Sequence, residues 1–150
     1  MKNNNLKFLV LILLFIFITT SITATVNART VTRPKPDLTV TNLEIINWNP
    51  LKIKVTVKNI GDAPGNEYFL KLEAMVNNNW GYFGGEIKGP LAPGAEHNSL
   101  MTITNPGQNQ ILLNATKLKA IADEKDKTQE SNENNNTKEI PVNPPKNYNR

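Results

Sequence analysis

From Leu38 to Val142 apolar and polar residues alternate in short runs, and turn-forming clusters separate the runs. Leu38 and Val40, then Leu43 and Ile45, mark a first strand whose phase slips near Thr41. Trp48-Asn49-Pro50 reads as a turn. In the second strand Ile53, Val55 and Val57 alternate with Lys52, Lys54, Thr56 and Lys58, the pattern of one buried and one wet face. Asn59 to Gly65 breaks the chain with Gly and Pro. Tyr68, Leu70, Leu72, Ala74 and Val76 form a third strand, and Asn77-Asn78-Asn79 is a hairpin turn, because Asn tolerates positive φ.

The returning strand runs from Trp80 to Lys88, with a bulge or bend expected at Gly84-Gly85. Trp80 and Tyr82 share one of its faces, and Phe83 and Ile87 are expected on the other, in the core. After Leu91-Ala92-Pro93-Gly94, the run Ser99, Met101, Ile103 forms a fifth strand that ends at Asn105-Pro106-Gly107. Leu118, Ala120 and Ala122 carry the inward face of a sixth strand, and Thr137 to Val142 form a seventh. No amphipathic helix of useful length is expected in this region. About seven short strands in one domain indicate an all-β, antiparallel β-sandwich, with a small closed barrel as the alternative.

The flanks are different. Lys2 and Lys7 precede a continuous apolar run from Phe8 to Ile18, and Ala28 offers a small-residue cleavage site two positions after Val26. The run is shorter than the ~20 residues that span a bilayer. Residues 1–28 are therefore read as a signal peptide, with cleavage favoured over retention as an anchor and no stable membrane insertion afterwards. Residues 29–36, with Pro34 and Pro36, form an extended lead-in; 37–142 form the domain; 143–150 form a Pro- and Asn-rich tail.

The whole chain has a formal charge of +4. Two of its 17 basic residues and none of its 13 acids lie within residues 1–28. The exported part is thus near neutral, which gives no case for nucleic-acid binding. With no cysteine there is no disulfide.

Three motifs in order resemble the CARDB family, the cell-adhesion-related domain found in bacteria, an immunoglobulin-like sandwich. They are Pro36-Asp37-Leu38-Thr39-Val40, then Ile53 to Gly61 ending Val-Lys-Asn-Ile-Gly, then Ala122-Asp123 followed by Glu130-Ser131-Asn132-Glu133-Asn134-Asn135-Asn136. Leu91-Ala92-Pro93-Gly94 is similar to the family's Leu-x-x-Gly turn. Thr128 stands where the family often has an aliphatic residue, and the turn after Asn49-Pro50 is short. The resemblance implies cell-surface or extracellular binding and spacing roles, with no shared catalytic residues.

The acids Asp123, Asp126, Glu130 and Glu133 raise the question of calcium, which takes ~6–8 oxygen ligands. Asn132, Asn134 and Asn135 could add amide oxygens. Lys125 and Lys127 interrupt the set, however, and the spacing is not that of an EF-hand. The plainer reading is favoured: Asp and Asn organise the loop by bonding nearby backbone. Trp80 and Tyr82 are the ligand-binding candidates, since exposed aromatics stack on sugar rings or fill a partner's pocket; otherwise they simply cover a sheet edge. Lys52, Lys54 and Lys58, with Lys117 and Lys119 on the opposite sheet, read as solvated faces that discourage edge pairing.

His97 is the single histidine, which makes a zinc site improbable without cysteines. No nucleophile motif or Gly-rich phosphate loop is present. Glu73, Glu86 and Glu96 could pair as hydrolytic acids only across a cleft that a small sandwich is not expected to offer. The expectation is a secreted, non-catalytic binding or adhesion module, extracellular or periplasmic, that engages an envelope protein or polysaccharide without a cofactor. The alternative is a spacer or accessory domain without tight ligand binding, stabilised by calcium if the acidic loop takes it up.

Overall fold

A computed structural model describes residues 33–146; the expected signal peptide, the start of the lead-in and the end of the tail lie outside them. The described chain forms β1 (Leu38–Trp48), β2 (Leu51–Asn59), β3 (Tyr68–Val76), β4 (Asn79–Lys88), β5 (Glu96–Ile103), α1 (Pro106–Leu113), β6 (Lys117–Ile121) and β7 (Thr137–Pro141). A three-stranded sheet of order β1-β2-β5 faces a four-stranded sheet of order β4-β3-β6-β7, and every pairing is antiparallel. The sandwich, not the barrel, is therefore the architecture.

The period-two pattern decides what enters the core, since side chains on a strand alternate between faces. Ile53, Val55 and Val57 are fully buried, as are Leu70, Leu72, Leu118 and Ala120 from the other sheet. The slip expected near Thr41 is a bulge: Val40 pairs with Val57 and Asn42 with Thr56, so Thr41 is the extra residue. That is why even-numbered Leu38 and Val40 and odd-numbered Leu43 all face inward. The β3–β4 turn places Asn77 and Asn78 at φ 52° and 63°, the left-handed region that Asn tolerates.

Two expectations are corrected. Ile87 is not in the core: it is 68% exposed, whereas Phe83 is buried. Leu72 pairs with Gly84 and Glu73 with Tyr82, so Phe83 is a bulge residue and the strand changes phase after it. Glu86 and Lys88 then take the inward side of this edge strand, where they pair at 3.0 Å. Inward charges on an edge strand discourage pairing with other chains. The second correction is α1. Asn105 caps it, accepting a hydrogen bond from the Gly107 N–H at 2.8 Å, and Pro106 occupies its first turn. Asn followed by Pro is a helix-start signal as well as a strand terminator, because the cap satisfies a free N–H and Pro has none to satisfy.

Candidate functional site

Strand direction separates two ends of the sandwich. One holds the start of β1, the end of β2, the start of β3 and the β6–β7 connection; the other holds the β3–β4 turn, α1 and the start of β6.

At the first end the resemblance motifs meet. Asn59, fully buried, accepts from the Asp37 and Gly61 N–H groups, each at 3.0 Å, and donates to the Ala63 and Leu91 carbonyls at 2.8 and 2.9 Å. All four hydrogen-bonding positions of its amide are thereby satisfied. Gly61 must be glycine for room: a Cβ there would lie 2.4 Å from the Lys35 carbonyl oxygen. Asp37 accepts from Ser131 Oγ and Asn135 Nδ2, both at 2.7 Å. Glu130 accepts from the Leu38 N–H and from Asn136 Nδ2. These bonds fasten the long β6–β7 connection to the first strand across more than ninety residues of sequence. Thr128 is buried, and its hydroxyl accepts from the Asn66 N–H at 3.3 Å, so a polar residue serves at this position.

The four acids are placed as follows. The two oxygens of Asp123 accept from the Lys127 and Thr128 N–H groups at 3.1 and 2.7 Å. Glu133 accepts from the Glu130 N–H at 2.8 Å. Asp126 is exposed, at φ 48°. Glu130 is 4% exposed; burial pushes its carboxyl up to about 7, the charges of Glu133 and Asp123 add to this, and the bonds from Leu38 and Asn136 oppose it. Asp123, Glu130 and Glu133 thus engage loop backbone or neighbouring amides. Among the described residues no group of three or more His, Asp or Glu side chains is arranged to hold an ion.

At the second end Trp80 and Tyr82 stand on the outer face of β4, and Tyr82 is 62% exposed. Lys119 Nζ lies 4.2 Å from the centre of the Trp80 ring, a cation–π contact, and 2.7 Å from Glu73. Glu73 also pairs with Lys71 at 2.9 Å, and Lys71 with Glu124 at 3.0 Å. Burial pushes the Glu73 carboxyl up, but Lys119 and Lys71 outweigh it and leave it below the usual range. Lys117 pairs with Glu139 at 3.2 Å. Three lysines and three glutamates therefore neutralise one another on this face; Lys119 and Glu73 are largely shielded rather than solvated, and β6, like β2, is an interior strand, so the expected role of these lysines in guarding an edge is corrected. Beyond Tyr82 the surface continues apolar. Phe69 covers Gly85, where a Cβ would lie 2.5 Å from its ring, and pairs across strands with exposed Ile87.

Trp80 and Tyr82 also border a cavity of about 590 Å³ between the β3–β4 hairpin and α1. Gln110 and Ile111 of α1 and its C-cap Asn114, which line it, were not anticipated from the sequence. The available signal was Asn105-Pro106, which starts the helix that presents them. His97 is elsewhere: its Nδ1 is 3.1 Å from the Tyr68 hydroxyl, and the rings stack where the sheets face each other. Burial and Lys88 hold the His97 imidazole below its usual value, against the pull of Glu86.

Comparison with known proteins agrees with the fold. Residues 35–140 match the CARDB family. A domain assigned to a cell surface protein of Methanosarcina acetivorans is similar over 72% of this chain and 90% of its own, with 21% identity and a TM-score of 0.56. The CARDB domain of a Pyrococcus furiosus protein in complex with di-metal ions matches over 72% and 87%, with 22% identity and a TM-score of 0.46. A β-glucosidase from Kluyveromyces marxianus matches over 74% of this chain but 14% of its own, with 15% identity and a TM-score of 0.40. Of these, the first bears on the fold. No curated protein matches the chain.

Proposed function

Because the chain belongs to the CARDB family, we propose that it is a non-catalytic, exported binding module that engages an envelope protein or polysaccharide through the outer face of β4. The observation that carries this reading is the exposed aromatic pair. Tyr82 is 62% exposed, and the neighbouring Trp80 ring is held in place by Lys119. An aromatic side chain presented on a rigid strand loses little entropy on binding and contributes a large apolar contact. Export is supported by the sequence alone, through Lys2 and Lys7 ahead of the apolar run from Phe8 to Ile18.

The test is retention. The exported protein should stay on whole cells or envelope preparations after washing, and Trp80→Ala should abolish this without lowering the melting temperature. Unchanged retention of the variant would remove the site.

A second reading, a spacer without tight binding, is favoured by the first end of the sandwich, where the motif residues hold the fold and contact one another. A spacer would wash off every preparation.

A further inference from the structure

The cavity beside Trp80 and Tyr82 has a chemistry of its own. Its floor is apolar, formed by Ala74 and Val76 from the inward side of β3 and by Ile111 from α1. It exists because Gly81 also takes the inward side, opposite Ala74, and has no side chain to fill the space; a Cβ built there meets nothing within 4 Å. At about 590 Å³ it falls within the range that holds small ligands, ~300–1,000 Å³. Gln110 and Asn114 supply amides along the helix side, and neither side chain is hydrogen-bonded to another described residue. No charged residue lines the cavity, in a chain of which 20% is charged, and the lysines on the adjoining face are paired with glutamates.

We propose that this cleft binds a pyranose residue of an uncharged glycan. A pyranose has an apolar C–H face and a rim of neutral hydroxyls. The first matches the floor and the aromatic border; the second matches the amides, each of which both donates and accepts. A purely apolar group would bury Gln110 and Asn114 without partners, a penalty of about 1–3 kcal/mol for each unsatisfied group. An acidic sugar would lose its hydration with no cation free to meet it. The inference deepens the binding-module reading and rests on it.

The experiment is a titration of the exported protein, followed by NMR and calorimetry. The probes are neutral trisaccharides of glucose, galactose, mannose and N-acetylglucosamine, with trigalacturonate as the charged control. At least one neutral trisaccharide should bind with a dissociation constant of about 1 mM or tighter, shifting the Trp80 indole and the Gln110 and Asn114 amides, while the control does not. Gly81→Leu should fill the cleft and weaken binding by at least about tenfold with the melting temperature unchanged. Gln110→Ala, at an exposed helix position, should weaken the same binding and guards against a folding defect in the first variant. The inference is overturned if no neutral trisaccharide binds, if the charged one binds better, or if binding survives both substitutions. Retention on envelopes that depends on Trp80, with no sugar bound, would overturn this inference alone and point to a protein partner. Loss of both retention and sugar binding would remove the binding reading with it.

Discussion

The two ends of the sandwich use polar residues in opposite ways. At the β6–β7 end, Asn59, Asp37, Asp123 and Glu130 are buried, and each has hydrogen-bond partners within the chain. At the β3–β4 end, the side chains of Gln110 and Asn114 are exposed, without a hydrogen-bond partner among the described residues, beside an apolar cavity and an exposed tyrosine. A group satisfied internally stabilises the fold and has little left to offer a ligand; a group left open on a rigid element can still bind one. Asn59, Asp37, Asp123 and Glu130 therefore serve the fold, while the amides of the other end are the ones the proposed cleft would use.

Breaking the first end should have the largest effect. Asn59→Ala removes four hydrogen bonds and leaves buried backbone groups unsatisfied. It should lower stability by about 3–5 kcal/mol in chemical denaturation. A loss below about 1 kcal/mol would show that the clamp is dispensable. Any loss of binding by this variant should track its unfolded fraction.

At the second end the order of effects reverses. Lys119→Ala frees the Trp80 ring and breaks one partner of Glu73. It should weaken retention several-fold while lowering stability by about 1–2 kcal/mol, because the pair is largely shielded (17% and 14% exposed) but Lys71 still partners Glu73. A large stability loss with unaltered binding would put Lys119 on the structural side of the comparison.

Glu130 sharpens the contrast through pH. Its carboxyl is raised from 4.5 to about 7 in the fold. Between those values the folded state keeps a proton that the unfolded chain has released. Its contribution to stability is therefore greatest below pH 4.5, declines as pH rises through this window, and levels off above about pH 7. Glu130→Gln should remove this slope. The difference between wild-type and variant stability, measured from pH 4 to pH 8, isolates it; parallel curves would show that Glu130 does not titrate there.

The smallest effect concerns calcium. The oxygens of Asp123 and Glu130 already accept hydrogen bonds, so millimolar calcium should leave the melting temperature unchanged. A rise would mean that the loop rearranges to bind the ion, and would assign the first end a ligand after all.

The alternation of apolar residues determined the seven strands, and Asn77-Asn78 one of their two-residue turns, because strand periodicity and positive φ are local properties. The loop motif was legible for the same reason: Asp and Asn at short spacing bond nearby backbone, as Asp123 does with Lys127 and Thr128. Trp80 and Tyr82 could be placed on one face from their spacing alone. The tertiary structure decided what depends on distant partners. The bulge at Phe83 turned Ile87 outward because β3 pairs one residue short there. Asp37 and Asn135, 98 residues apart in sequence, meet only through the tertiary fold. The cavity forms only where a helix, a hairpin and the missing side chain of Gly81 come together, a shape that no short window of sequence contains.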